Sequence, residues 1–304
     1  MTGIIQRLLL LSAAHRWARN QSTCAQIKRV SIEGNIAVGK STFARLLQES
    51  NPDWEVITEP VSKWQNVDHE TQSQHSSSNL LQMMYEDPKR WSYTFQSFSC
   101  LSRLRTQLQP ITPMLPQAPK GAVQVYERSV YSDRYVFALN MFKLGFINSV
   151  EWAVYQEYHS FLLQQFGHRV ELEGIIYLRA SPQTCLGRLQ KRAREEEQQL
   201  ELHYLQMLHQ RHEDWLLNRT TPVHSAHLLK LPVLVLDTEG EFERNPEVRV
   251  HLISKVHLSL DSLTVNSNQK VTDVFASPAT GPGFPLWVVT EDHSRFPLLL
   301  KMKG

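Results

Sequence analysis

Cysteine is scarce in this chain, and long apolar runs are missing. The three cysteines, Cys24, Cys100 and Cys185, stand far apart with no C-x-x-C pair. That spacing gives neither a disulfide framework nor a zinc pattern, and it fits a reducing compartment. Cys100 and Cys185 fall in apolar helical patterns and are expected in the core. No apolar stretch approaches the ~18 residues of a membrane-crossing helix, so no membrane partner is expected. Acidic residues are absent from 1–29, which hold Arg7, Arg16, Arg19, Lys28 and Arg29. Removing those five from 32 basic residues leaves 27 against 30 acidic ones, a net of −3. By charge, the body is therefore not a nucleic-acid-binding surface. An acid-free, arginine-bearing leader with apolar residues at Ile4, Ile5 and 8–11 reads as a mitochondrial transit peptide over 1–28. A secretory signal is the rival, but its apolar stretch, 8–14, is short and runs into His15, Arg16 and Arg19.

With 304 residues, 41% of them hydrophobic, the chain can bury a core of one large α/β domain, or at most two domains. Its organising stretch is Glu33-Gly-Asn-Ile-Ala-Val-Gly-Lys-Ser-Thr42. Gly34, Gly39, Lys40 and Ser41 fit the phosphate-loop pattern G-x-x-x-x-G-K-[ST] without deviation. Phosphate oxygens need several converging backbone N–H groups, and glycine lets the backbone approach closely at positive φ. Gly34, Asn35, Ile36, Ala37, Val38, Gly39, Lys40, Ser41 and Thr42 are thus the expected ATP loop. Lys40 supplies a point charge for the β- and γ-phosphates, and the Ser41 hydroxyl is the expected Mg²⁺ ligand. A strand pattern at 29–32 precedes the loop, and Phe43, Ala44, Leu46 and Leu47 mark one face of a helix after it.

Further strands are predicted at 54–58, 122–126, 174–178 and 232–236. Helical periods fall at 80–86, 91–108, 131–143, 149–166, 182–196 and 201–217. The polar stretch 68–78 reads as a mobile loop. Alternating strands and helices imply a parallel sheet covered on both faces, with ligands beyond the carboxyl ends of the strands. Charged residues stand at those ends: Glu59, Glu127-Arg128, Arg179 and Asp237. Glu59, fixed by Pro60, can accept a proton from an attacking hydroxyl. Glu127 is a candidate magnesium partner, and Arg128 can hold the acceptor hydroxyl or pair with Glu59. Arg188, Lys191, Arg192 and Arg194 on a helix over the phosphates would stabilise transferred charge. Asp237 resembles a Walker-B aspartate, but the absence of N-K-x-D weakens a GTPase reading. His209, His212 and Glu213 look like metal ligands only superficially; on an amphipathic helix, surface or packing roles are expected.

These residues carry a resemblance. The run 32–43, Glu59-Pro60-Val61 with Trp64, Phe95-Gln96, the run 127–135 (Glu-Arg-Ser-Val-Tyr-Ser-Asp-Arg-Tyr) and Arg192-Ala-Arg-Glu-Glu-Glu197 resemble the deoxyribonucleoside kinase family. The likeness is to its deoxycytidine/deoxyguanosine kinase branch and spans about 28–255. It implies a P-loop NTPase-type five-stranded parallel sheet with helices on both faces, a helical lid, a homodimer, ATP as donor and a deoxynucleoside as acceptor. It also implies roles. Glu59 matches the base at the 5′-hydroxyl, and Arg128 the arginine beside it. Tyr85 and Glu197 match the pair on the 3′-hydroxyl. Gln96 matches the hydrogen-bond partner of the base, with Trp64, Met84 and Phe137 as apolar walls. Arg188, Arg192 and Arg194 match lid phosphate contacts, and Glu241-Phe242 matches the loop over the donor's base.

Thymidine-preferring relatives have an apolar residue where this chain has Arg103, and a small one at Asp133. Arg103 only donates and Asp133 only accepts, so together they suit a base edge with both an acceptor and a donor, guanine or cytosine. Ser99, where deoxycytidine kinase carries a still smaller residue, favours the purine. The expected activity is ATP-dependent 5′-phosphorylation of deoxyguanosine and deoxyadenosine in mitochondrial salvage. A pyrimidine kinase of the same family, or a catalytically dead nucleotide-binding protein, remains an alternative. Residues 256–304 fall outside the resemblance and read as a poorly ordered tail, with an isolated apolar run at 285–289.

Overall fold

Strands covered by helices on both faces need apolar middles, and Val30 and Ile32, 175–178 and 233–236 supply them, with polar and charged residues mostly towards the strand ends. In a computed structural model, residues 27–71, 74–118, 122–272 and 286–287 are described. Most of the expected leader, including Cys24, lies outside them. In chain order the elements are β1 (Lys28–Glu33), α1 (Lys40–Ser50), β2 (Glu55–Ile57), α2 (Val61–Gln65), β3 (Val67–Thr71), β4 (Gln74–Ser78), α3 (Leu80–Glu86) and α4 (Pro88–Gln107). Next come β5 (Val123–Glu127), α5 (Val130–Ser132), α6 (Leu139–Lys143), α7 (Ser149–Val170), β6 (Gly174–Arg179) and α8 (Pro182–Arg192). The remainder are α9 (Leu202–His212), α10 (Ala226–Lys230), β7 (Val233–Asp237), α11 (Pro246–Thr272) and β8 (Leu286–Trp287).

The large sheet is parallel, in the order β2-β5-β1-β6-β7-β8. β1 lies at its centre, with Val30 opposite Val125 on one side and Gly174 on the other. Ile32, Val125, Leu178 and Leu236 are fully buried between sheet and helices, and Cys100 and Cys185 join the same core. The five expected strands are all present, and Leu286–Trp287, the described part of the apolar run at 285–289, add a short sixth beside β7.

Four features differ from the sequence reading. The stretch 68–78 is not simply a loop: β3 and β4 pair antiparallel, with Val67 opposite Ser78. Alternate residues in a polar β-ribbon need no core, so polarity alone cannot separate it from a loop. The helix expected over 131–143 is interrupted, running as a π-helix from Asp133 to Ala138. The lid helix stops at Arg192 rather than 196, because Ala193 takes left-handed φ of 52°. A short 3₁₀ turn, Glu195–Glu197, follows. Finally, the boundary expected at 255–256 falls inside α11.

Candidate functional site

A cavity of about 970 Å³ opens beyond the carboxyl ends of β1, β2 and β5. Of the predicted ATP-, magnesium- and nucleoside-binding residues, all but Gly34, Asn35 and Val38 line it; the strand-end charges Arg179 and Asp237 do not. Those three are buried members of the phosphate loop itself. At Gly34 (φ 142°) a Cβ would meet the Leu178 carbonyl oxygen at 2.5 Å, so only glycine fits. The Asn35 side chain turns away and donates to the Leu205 carbonyl of α9 at 2.9 Å. Lys40 Nζ donates to the Asn35 carbonyl at 2.7 Å. Burial, and then the Arg128 charge, lower the Lys40 pKa to about 7.

Glu127, at the end of fully buried β5, lies beside the loop. Ser41 Oγ donates to its Oε1 at 2.5 Å, and its Oε2 accepts from the Glu59 N–H at 3.4 Å. A hydroxyl and a carboxylate next to phosphate oxygens form an oxygen-only set, which suits a hard ion such as Mg²⁺ with further ligands from phosphate and water. Among the described residues no group of three or more His, Cys, Asp or Glu could hold a metal without such help.

At Arg128 the chain turns sharply, at φ 64°, a strained value for a non-glycine residue. The turn is held on every side. Arg128 N–H donates to the Ile32 carbonyl at 3.0 Å, and its Nη1 to the Gly34 carbonyl at 2.8 Å. Gln107 Nε2 donates to the Arg128 carbonyl at 3.2 Å. Ser129 Oγ donates to the buried carboxyl of Glu33 at 2.6 Å. Burial pushes the Glu33 carboxyl above its ordinary pKa. Neither Glu33 nor Gln107 was legible as a site residue. Glu33 acts through the Ser129 hydroxyl and Gln107 through the Arg128 carbonyl, both far away in the chain, which no local pattern records.

The acceptor end of the cavity is a network of buried charge. Residues 96, 99 and 103 share one face of α4, set by helical spacing, and Asp133 faces them from the π-helix. Arg103 Nε donates to Asp133 Oδ2 at 2.8 Å, and its Nη2 donates to Asp133 Oδ1 at 3.2 Å and to Glu59 Oε1 at 2.9 Å. Arg128 Nε reaches the same Glu59 oxygen at 3.2 Å. Burial alone would raise the Glu59 pKa, but Arg103, Arg128 and Lys40 outweigh it and hold the carboxyl down at about 2. For Asp133 burial wins, and its pKa is raised despite Arg103. Gln96 Oε1 is buried without a partner, as an acceptor awaiting a ligand would be. Trp64 is fixed by its Nε1–H donating to Ser102 Oγ at 2.7 Å, and Phe137 stacks under the Arg128 guanidinium.

Within the lid the charged side chains pair with one another. Arg192 and Arg194 both pair with Glu197, the latter at 2.9 Å. The turn at Ala193 folds this buried carboxylate back onto them, and it needs the countercharge. Arg188 donates to the carbonyls of Val38, Thr238 and Gly240 at 3.0, 2.7 and 2.8 Å. Phe242 presses on the phosphate loop: a Cβ at Gly39 would come within 2.6 Å of its ring. Glu241 turns its own loop by accepting from the Arg244 N–H at 2.9 Å. Tyr204 of α9 also lines the cavity and was missed; in the sequence it is one more aromatic of an amphipathic helix.

Two strand-end charges are not at the site. Arg179 pairs with Glu213 at 3.0 Å, and Asp237 Oδ1 accepts from the Glu239 N–H at 2.8 Å, capping a turn. The carboxylate beside Ser41 is Glu127, so the Walker-B reading of Asp237 fails. His212 is packed in the core against Tyr177, as expected.

The family model described as Deoxynucleoside kinase matches residues 30–260. The chain is 52% identical over 237 residues to a protein of Xenopus laevis named Deoxyguanosine kinase, mitochondrial, covering 76% of this chain and 89% of that one. It is 50% identical over 244 residues to Deoxycytidine kinase 2 of Gallus gallus, covering 78% and 92%. To Deoxycytidine kinase of Homo sapiens it is 47% identical over 245 residues, covering 78% and 93%. A phosphate loop joined to a charged acceptor pocket, on a parallel sheet that the match spans, is thus explained by descent: the chain belongs to the deoxynucleoside kinase family, in its deoxycytidine/deoxyguanosine kinase branch.

Proposed function

We propose that this kinase phosphorylates the 5′-hydroxyl of purine deoxynucleosides, deoxyguanosine foremost, with ATP as donor. The observation that carries the base-reading role is the buried Arg103–Asp133 pair beside the partnerless Gln96 Oε1, and Ser99 beside Asp133 favours a purine over cytosine. Buried charge is costly unless it meets polar ligand edges. Guanine offers an acceptor, O6, next to a donor, N1–H, which such a floor can read. Glu59 takes the 5′-hydroxyl proton as that oxygen attacks the γ-phosphorus, and the bond to the β-phosphate oxygen breaks to release ADP. A base held near pKa 2 is weak, but a loose phosphoryl transition state asks mainly for alignment. Arg128 holds the 5′-oxygen, Tyr85 and Glu197 the 3′-hydroxyl, and Trp64, Met84 and Phe137 flank the base. Bound at Ser41 with Glu127, Mg²⁺ would neutralise charge on the β- and γ-phosphates. Arg192 and Arg194 exchange Glu197 for phosphate when the donor is bound.

A homodimer is supported by one face of α7, where Val150, Val154 and Phe161 are 70%, 50% and 54% exposed. Mitochondrial targeting is supported by the acid-free leader and by the name of the Xenopus relative. The second reading, a deoxycytidine kinase, is favoured by relatives so named at nearly the same identity. The test is kcat/KM of the full chain with Mg-ATP on deoxyguanosine, deoxyadenosine, deoxycytidine and thymidine. Deoxyguanosine should lead; a lead for deoxycytidine would replace the purine reading with the second.

A further inference from the structure

The 3₁₀ turn Glu195–Glu197 is hydrogen-bonded to α2 and α3 through a single side chain, that of Glu196. Glu197 makes its ion pairs with Arg192 and Arg194, both within the lid itself. Glu196 instead reaches out. Its Oε1 accepts from Gln65 Nε2 at 2.8 Å and from Asn79 Nδ2 at 2.8 Å. Among the described residues, these are the side-chain hydrogen bonds that tie 195–197 to α2 and α3, outside the lid.

The two donors are not arbitrary. Gln65 is the last residue of α2, directly after Trp64. Asn79 caps α3, its Oδ1 accepting from the Gln82 N–H at 3.0 Å, and α3 carries Met84 and Tyr85. Both donors therefore anchor helices that wall the acceptor end. Burial alone would raise the Glu196 pKa, but the hydrogen bonds, Asn79's first, hold it below its ordinary value. The carboxylate is thus ionised and its hydrogen bonds are charge-assisted.

We infer that Glu196 is a positioning residue of the acceptor site: it locks the lid turn to α2 and α3, so that Glu197 meets the sugar only when Trp64, Met84 and Tyr85 are in place. The inference rests on the proposed role of Glu197 and Tyr85 at the 3′-hydroxyl. Losing the lock loosens the nucleoside pocket and leaves the phosphate loop untouched.

The test uses the full chain. Glu196→Ala should raise KM for the preferred deoxynucleoside about tenfold, lower kcat less, and leave KM for ATP within about twofold. Asn79→Asp keeps the cap oxygen for Gln82 but sets a carboxylate against Glu196, and should raise the same KM. Adding Glu196→Gln to Asn79→Asp lets the new amide donate to the carboxylate introduced at position 79, while its oxygen still accepts from Gln65. KM should then return towards the wild-type value, which a merely structural surface contact would not produce. Activity on the 3′-deoxy analogue separates the two readings. If the wild type ignores the missing hydroxyl, the Glu197–Tyr85 assignment fails, and the exchange of partners still decides on Glu196. A nucleoside KM within twofold of wild type in both single variants, an equal rise in KM for ATP, or no recovery in the double variant would overturn the proposal.

Discussion

The two ends of the one cavity are built from different material. The donor end is mostly backbone: the phosphate loop, the carbonyls of 238–240 that Arg188 gathers, and Phe242 seated on Gly39. The acceptor end is mostly side chains, with charges from β2's end, α4, β5's end and the π-helix meeting within one network. The difference follows from what each end must read. A triphosphate is alike in every nucleotide, and converging N–H groups with a few fixed charges recognise it without reading an edge. A nucleoside is distinguished by its edges, and only side chains can match a donor with an acceptor at a chosen point. Substitutions at the acceptor end should therefore be severe and specific, while the donor end should respond to charge and space.

The sharpest test of that contrast is Glu59→Gln. The amide keeps an acceptor for Arg103 and Arg128 but cannot take the hydroxyl proton. We expect kcat to fall about 10²–10⁴-fold with KM for ATP little changed. Steady-state kinetics on both substrates reads this directly. A loss under tenfold would mean that alignment by Arg128 alone suffices, and the acceptor end would lose its distinction.

Next in size is the Arg103–Asp133 pair, in which both side chains are at most 3% exposed. Removing one partner strands the other. Arg103→Met should therefore destabilise the fold by about 3–5 kcal/mol, read as a shift in the denaturant midpoint. The double change Arg103→Met with Asp133→Ala removes both charges and should recover much of that loss. Glu59 keeps Arg128 as its partner at 3.2 Å. The double variant should also turn substrate preference towards thymidine. Recovered stability with unchanged purine preference would make the pair structural and leave base reading to Gln96 and Ser99.

The same division explains what could be read from the sequence. The donor loop is contiguous, so its glycines, lysine and serine announce it at fixed spacing. The strand ends gave Glu59 and Glu127-Arg128, because a charge after a buried strand has nowhere to go but the rim. Arg179 and Asp237 obeyed the same rule and misled. Whether a strand-end charge faces the ligand depends on its neighbours, here Glu213 and the turn at Glu239. The acceptor pocket was legible only through the family resemblance, since its members come from elements far apart in the chain. Glu33 and Gln107 stayed hidden because they act indirectly, on the Ser129 hydroxyl and the Arg128 carbonyl, from distant parts of the chain. The lid's length was overread because nothing in Arg192-Ala-Arg marks Ala193 as left-handed.

The donor end has one titratable lever of its own, Lys40, and it gives the smallest expected effect. Burial, then Arg128, bring its pKa down to about 7 in the free protein. Triphosphate oxygens beside the amine favour the charged form, so the bound pKa must be higher. The sign follows from linkage. Below pH 7 the amine is protonated in both states and affinity is at its plateau. Above pH 7 binding must take up a proton, and Kd for ATP should rise by up to about tenfold per pH unit until the bound pKa is reached. Calorimetry at pH 8 in buffers of different ionisation enthalpy should then show proton uptake. Lys40→Arg, charged throughout, should abolish the uptake whatever it does to turnover. Uptake near zero in the wild type would mean that the loop holds its lysine charged even when empty, leaving no titrating lever at the backbone-built end.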